Sequence, residues 1–190
     1  MRVLKACPDA VLWLLDDNDW AVANLRKRAV EAGVDEDRLI FAKAVPRDAH
    51  LERLKLADLC LDTFVVGAHT TASDALAAGV PVVTCAGAQF AARVGASLLT
   101  SVGLPELITA DAQHYEDTLL RLSRDPVERA RITRALSEGQ HTLFDEQRYT
   151  RKFEAALFLA FENKLAGLPP ADILSKDIQS ALETSRFARS

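Results

Sequence analysis

Short, unbroken apolar blocks alternate along this chain with longer stretches that mix polar and apolar residues. Val11-Leu12-Trp13-Leu14-Leu15 is the first such block and reads as a strand covered on both faces. A buried strand this near the start predicts further structure ahead of it. Arg38-Leu39-Ile40-Phe41 is the second strand. Leu59-Cys60-Leu61 is too short and too apolar for anything but a core strand, and Val82-Val83-Thr84 begins a β-branched run that fits a fourth. Between these blocks lie helices. Trp20 to Ala32 is amphipathic and closed by Gly33, and Asp48 can cap a short helix running to about Leu56. Thr71 can cap the next, with Asp74 at the position of a capping-box carboxylate. Gly79 and Pro81 then stop that helix.

The remainder is predominantly helical. Met1 to Lys5 resembles helix interior, and Gln89 to Leu99 reads as a helix that would bring Arg93 toward the edge described below. Glu106 to Thr109 is a short strand or a turn. Ala112 to Ser123, Pro126 to Glu138 and Gln147 to Leu165 are three further helices, the second opened by Asp125-Pro126. The aromatic residues of the last, Tyr149, Phe153, Phe158 and Phe161, read as packing residues. Gly167-Leu168-Pro169-Pro170 ends the globular part, so residues 1–166 form one lobe. Residues 167–190 form a tail, loosely helical or disordered.

The stretch Leu59 to Thr84 organises the rest. Strand, helix and strand in so few residues make a βαβ unit, which implies a parallel sheet with helices on its faces. Open α/β sheets bind ligands at the carboxyl edge of their strands. His69, Thr70 and Thr71 stand there, at the start of a helix whose free N–H groups and dipole suit an anion. Two hydroxyls and an imidazole fit a phosphate or pyrophosphate; a plain helix cap explains the same residues. A second cluster, Val45-Pro46-Arg47-Asp48-Ala49-His50 with Arg53, puts His50 and Arg53 on one helical face. It fits a cationic and aromatic patch beside a nucleotide, and equally a solvated surface.

Composition narrows the classes. Of 190 residues, 49% are hydrophobic and 26% charged, ordinary for a globular protein. A net charge of -4 offers no bulk attraction to nucleic acid or an anionic membrane. The three cysteines, Cys7, Cys60 and Cys85, suit neither a zinc site nor a disulfide framework. Cys60 and Cys85 read as buried thiols in a reducing compartment. No apolar run approaches the length of a membrane span and no signal peptide opens the chain, so a cytoplasmic location is expected.

Taken in order, Val11-Leu12-Trp13-Leu14-Leu15, Arg38-Leu39-Ile40-Phe41, Val45-Pro46-Arg47-Asp48-Ala49-His50, Leu56-Ala57-Asp58-Leu59-Cys60-Leu61-Asp62-Thr63 and Gly67-Ala68-His69-Thr70-Thr71-Ala72-Ser73-Asp74 resemble the catalytic region of the protein O-linked N-acetylglucosamine transferase (SPINDLY-like) family. Ala78-Gly79-Val80-Pro81-Val82-Val83-Thr84 and Arg93-Val94-Gly95-Ala96-Ser97-Leu98-Leu99 continue the likeness, which covers roughly residues 3 to 162. The resemblance implies the C-terminal half of a GT-B fold, a Rossmann-like parallel sheet flanked by helices that holds a UDP-sugar.

It further implies that His69, Thr70 and Thr71 hold the donor pyrophosphate and stabilise the leaving group, while Asp74 accepts from a ribose hydroxyl. Val45 and Arg47 would contact the uracil, His50 would lie against its face and Arg53 would flank it. Arg47 stands where the family commonly has Lys, a planar cation in place of a compact one. The implied reaction moves a sugar, N-acetylglucosamine, from UDP to Ser or Thr hydroxyls of a protein acceptor, without metal or other cofactor. The implied partners are an N-terminal catalytic lobe and tetratricopeptide repeats. A non-catalytic nucleotide-binding module, left from or split from such a transferase, is the alternative.

Overall fold

The computed structural model describes residues 1–183, and its elements follow the apolar blocks closely. In chain order they are α1 (Arg2–Ala6), β1 (Leu12–Leu15), α2 (Asp19–Glu31), β2 (Leu39–Ala42), α3 (Arg47–Leu54), β3 (Cys60–Leu61), α4 (Thr70–Ala77) and β4 (Val82–Cys85). Then come α5 (Val94–Ser101), β5 (Ile108–Thr109), α6 (Ala112–Arg124), α7 (Pro126–Leu143), α8 (Glu146–Leu165) and α9 (Ser175–Glu183). The segment expected as one helix from Gln89 to Leu99 is broken. A 3-10 turn at Phe90–Ala92 precedes α5, and Arg93 at the junction leaves the helical region with φ -123°. The tail's helical half is α9; residues 184–190 lie outside the described residues.

Every strand pair is parallel, as the strand–helix–strand order requires. The strands form two ladders, β1–β2 and β3–β4–β5, in place of one continuous sheet. β3 contributes two residues only, and its ladder bonds go to β4. Register explains how the first ladder buries its faces. Leu12 pairs with Leu39 and Leu14 with Phe41, and this side packs with Leu4, Ala29 and Val34. Trp13 pairs with Ile40 on the opposite side, where the Arg53 guanidinium covers the indole at 5.0 Å. That cover is incomplete. Val11 is 60% and Leu15 58% exposed, so the strand expected to be sealed on both faces is sealed on one.

The larger core surrounds β4. Val82 and Val83 are fully buried among Leu76 of α4, Leu99 of α5, Leu119 and Leu122 of α6, and Ile132 and Leu136 of α7. Burying a Leu, Ile or Val side chain fully contributes about 1.5–3 kcal/mol, so this cluster carries the fold's stability. Gly79 closes α4 at φ +81°, the left-handed stop expected from the sequence.

The chain divides into two compact units, Met1–Leu143 and one beginning at Phe144 that holds α8 and α9. The sequence instead placed the α8 residues with the lobe that ends at 166. The α8 aromatics also differ from expectation. Tyr149, Phe153 and Phe161 are exposed, and Tyr149 and Phe153 stack on each other at 6.1 Å, so they are not core residues.

Candidate functional site

The loop between β3 and α4 sits at the carboxyl end of a parallel strand, and the residues singled out from the sequence begin there. α4 starts at Thr70, with His69 as its N-cap residue. No side chain caps it. The capping box expected from Thr71 and Asp74 is therefore absent: Thr71 is the second residue of the helix, and the Asp74 carboxylate bonds elsewhere. Among the described residues no acceptor takes the N–H of Thr70, Thr71 or Ala72, and the exposed hydroxyls of Thr70 and Thr71 make no hydrogen bond. The first intrahelical bond runs from Ser73 N to His69 O at 3.0 Å. The amides and hydroxyls of exposed Thr70 and Thr71, together with the amide of buried Ala72, thus lie unpartnered at the positive end of a helix dipole.

His69 is half-buried and held. Its Nε2 lies 3.3 Å from the Ala91 carbonyl, which fixes Nε2 as the donor. Its ring meets Phe90 edge-on at 5.9 Å. The Ala91 carbonyl also accepts Gly67 N–H at 2.8 Å, so one peptide oxygen ties the β3–α4 loop to the loop after β4.

The second cluster adjoins the first. Arg47, the first residue of α3, donates from Nη2 to Asp74 Oδ1 at 3.0 Å. Asp74 is 8% exposed, whereas the Arg47 side chain lies open to water. The pair links the start of α3 to the middle of α4, bringing together two residues assigned to different parts of one ligand. Asp48, expected as the cap of α3, is in its first turn behind Pro46. Val45 is exposed and His50 half-buried. Arg53 makes its contacts elsewhere. Its Nη1 donates to the Lys43 carbonyl at 2.9 Å, its plane covers Trp13, and its Nε is buried without a partner. Arg93 is exposed and makes no side-chain hydrogen bond or ion pair with this cluster among the described residues.

One residue went unassigned in the sequence. Asp62, the residue after β3, is buried. Its carboxylate accepts from Thr63 N–H at 2.7 Å, from Ala68 N–H and from the Thr84 hydroxyl at 2.6 Å. The Tyr115 hydroxyl donates to its backbone carbonyl at 2.8 Å. The available signal was an acid directly following an apolar core strand, where burial is expected. Burial, then the charge of Asp62, push the Cys60 thiol up to about 11. The same causes, in the same order, hold the Tyr115 phenol above its ordinary value. All three cysteines are free: Cys7 is buried, and Cys60 and Cys85 are half-buried. Among the described residues no group of three or more His, Cys, Asp or Glu could hold a metal ion, and no helix is long and apolar enough to cross a membrane.

A family profile described as glycosyl transferase family 41 matches residues 1–153. The chain belongs to glycosyl transferase family 41. Within that family it is 33% identical, over 89% of its length, to a UDP-N-acetylglucosamine–peptide N-acetylglucosaminyltransferase of Caenorhabditis elegans. It is 31% identical over 94% of its length to a probable enzyme of the same name, SEC, from Arabidopsis thaliana. A solved structure of a Thermobaculum terrenum O-GlcNAc transferase mutant, K341M, superposes with a TM-score of 0.69 at 32% identity, over 79% of this chain and 31% of that one. The chain spans 15% and 19% of the lengths of the two relatives. The family expectation and the Rossmann-like α/β fold of the GT-B kind are both met.

Proposed function

We propose that this family 41 chain is the donor-binding lobe of a glycosyltransferase that moves N-acetylglucosamine from UDP to Ser or Thr hydroxyls of proteins. One observation carries the reading: three unpartnered amides and two free threonine hydroxyls at the start of α4, beside a fixed imidazole and the Arg47–Asp74 pair. The relatives, named UDP-N-acetylglucosamine–peptide N-acetylglucosaminyltransferases, supply the donor and the acceptor class.

In this reading the pyrophosphate lies on the α4 amides with Thr70, Thr71 and His69 around it. In transfer the acceptor hydroxyl oxygen bonds the anomeric carbon and gives up its proton to solvent, while the bond from that carbon to the β-phosphate oxygen breaks and UDP departs with the electron pair. Donors fixed before the reaction stabilise that developing charge without reorganising. Asp74 turns its carboxylate to a ribose hydroxyl. Arg47, released from Asp74, meets the uracil with Val45, and His50 lies against the base. Arg53 holds the rim through Trp13 and the Lys43 carbonyl. No metal or other cofactor takes part. The protein acceptor is bound by an N-terminal catalytic lobe, with tetratricopeptide repeats ahead of it, and the lobe works in the cytoplasm.

Calorimetric titration of the 190-residue chain tests this. UDP should bind more tightly than ADP or GDP, and Thr71→Ala, His69→Ala and Asp74→Ala should each weaken UDP about 5- to 30-fold, as lost hydrogen bonds of about 1–2 kcal/mol require. Equal affinity for all three nucleotides, or no effect of the three substitutions, would refute the assignment.

A further inference from the structure

We propose that Asp62 is the positioning residue of the anion site: its carboxylate fixes the β3–α4 loop so that the α4 amides converge on one ligand position. This rests on the nucleotide site proposed above. A single oxygen, Oδ1, accepts both Thr63 N–H and Ala68 N–H, the two ends of the loop. The other, Oδ2, accepts the hydroxyl of Thr84, which is buried in β4. The Thr84 carbonyl in turn accepts the Thr109 hydroxyl at 2.9 Å, so the clamp is anchored through β4 to β5. Tyr115 of α6 adds the bond to the Asp62 carbonyl and meets Phe64 of the loop edge-on at 5.0 Å.

Two glycines make room for this carboxylate. A Cβ at Gly67 would stand 3.1 Å from Oδ2 and 3.3 Å from Oδ1, and a Cβ at Gly95 would stand 2.6 Å from Oδ2. A side chain at Gly95 would press the clamp out of place, and one at Gly67 would push the carboxylate by a few tenths of an ångström. The loop also needs a clamp. Val65 has φ +71°, a conformation that β-branched residues avoid, and Val66 N–H closes back on the Phe64 carbonyl around it. Such backbone persists only where its surroundings over-determine it. Ala68, whose amide Asp62 holds, is two residues before the first residue of α4. Where that amide is held therefore decides where the free amides of Thr70 and Thr71 point.

Amide NMR titrations of the 190-residue chain with UDP and with uridine, which lacks both phosphates, test the proposal. In Asp62→Asn the Asn carbonyl can still accept and its amide can face Thr84, so the fold should hold while the charged acceptor is gone. UDP affinity should fall fivefold or more, uridine affinity should change less than twofold, and the Thr63 and Ala68 amides should exchange faster with solvent. Thr84→Val, which removes one hydroxyl at constant volume, should give the same pattern more weakly and decides the matter if Asp62→Asn does not fold. An unchanged ratio of UDP to uridine affinity in folded variants would overturn the proposal. So would a loss of both affinities together with a lower melting temperature, which marks a purely structural residue. Failure of the wild-type chain to bind UDP, or indifference to Thr71→Ala, would instead refute the nucleotide site itself.

Discussion

Replacing Gly139 with alanine sets two effects of opposite sign against each other. Gly139 is inside α7, where alanine is favoured over glycine by about 0.8–1.0 kcal/mol on helix propensity. Its position in the packing argues the other way. A Cβ there would stand 2.0 Å from the Val102 carbonyl oxygen and 2.9 Å from the carbonyl carbon, just beyond α5. Those are backbone atoms and cannot rotate aside. The approach is roughly 1 Å closer than real Cβ atoms tolerate, so α7 must move away from α5 and loosen Ile132 and Leu136, both fully buried.

Overpacking of this kind costs about 1–3 kcal/mol, and an unyielding partner places it near the upper end. The propensity gain offsets only part. The net expectation is a loss of about 2 kcal/mol. Urea unfolding followed by tryptophan fluorescence measures it cleanly, because Trp13 and Trp20, the only tryptophans, both belong to the Met1–Leu143 unit. Glu138→Ala, next door and exposed, should stay within about 0.5 kcal/mol of wild type. A Gly139→Ala chain as stable as wild type, or more so, would show that α5 and α7 do not meet this closely.

Two further outcomes follow from the site's surroundings. Val65 is 77% exposed at φ +71°, so Val65→Gly gives up little burial and removes strain of about 1–3 kcal/mol against a glycine entropy cost of about 0.5–1. The variant should unfold at higher urea, by about 1 kcal/mol; a less stable variant would contradict the loop geometry. The Cys60 thiol is raised from 9.0 to about 11, so between those values the unfolded chain sheds the proton and the folded chain keeps it. Stability from this group is complete below about pH 9 and falls as pH rises, by at most about 1.4 kcal/mol per pH unit. Cys60→Ala should remove that part of the alkaline slope, and an identical slope in both chains would refute the assignment.

The loop from Phe64 to Gly67 marks where local reading ended. Nothing in Phe64-Val65-Val66 signals a left-handed residue, since valine is the kind of side chain that resists one. The conformation is held by bonds from Asp62, Thr63 and Ala91, the last distant in sequence. The capping box failed for a related reason. Thr71 and Asp74 have the right spacing, but α4 begins at Thr70 behind His69, which puts both inside the helix, and the Asp74 carboxylate goes to Arg47, which arrives from α3, outside any sequence window around α4.

Residue order alone was enough to determine the parallel β–α alternation, the Gly79 stop after α4, and the place of His69, Thr70 and Thr71 at a strand's carboxyl end. Each depends on backbone chemistry acting over a few residues, and the order of several such motifs specified the family. Tertiary structure decided the rest. It set the division of the strands into two ladders, the solvent exposure of the α8 aromatics, the turning of Arg53 onto Trp13 and the burial of Asp62 between Thr84 and the loop. Those outcomes depend on which surfaces meet across distances of tens of residues. No local pattern encodes that, because burial and long-range hydrogen bonds outweigh the preferences of any short segment.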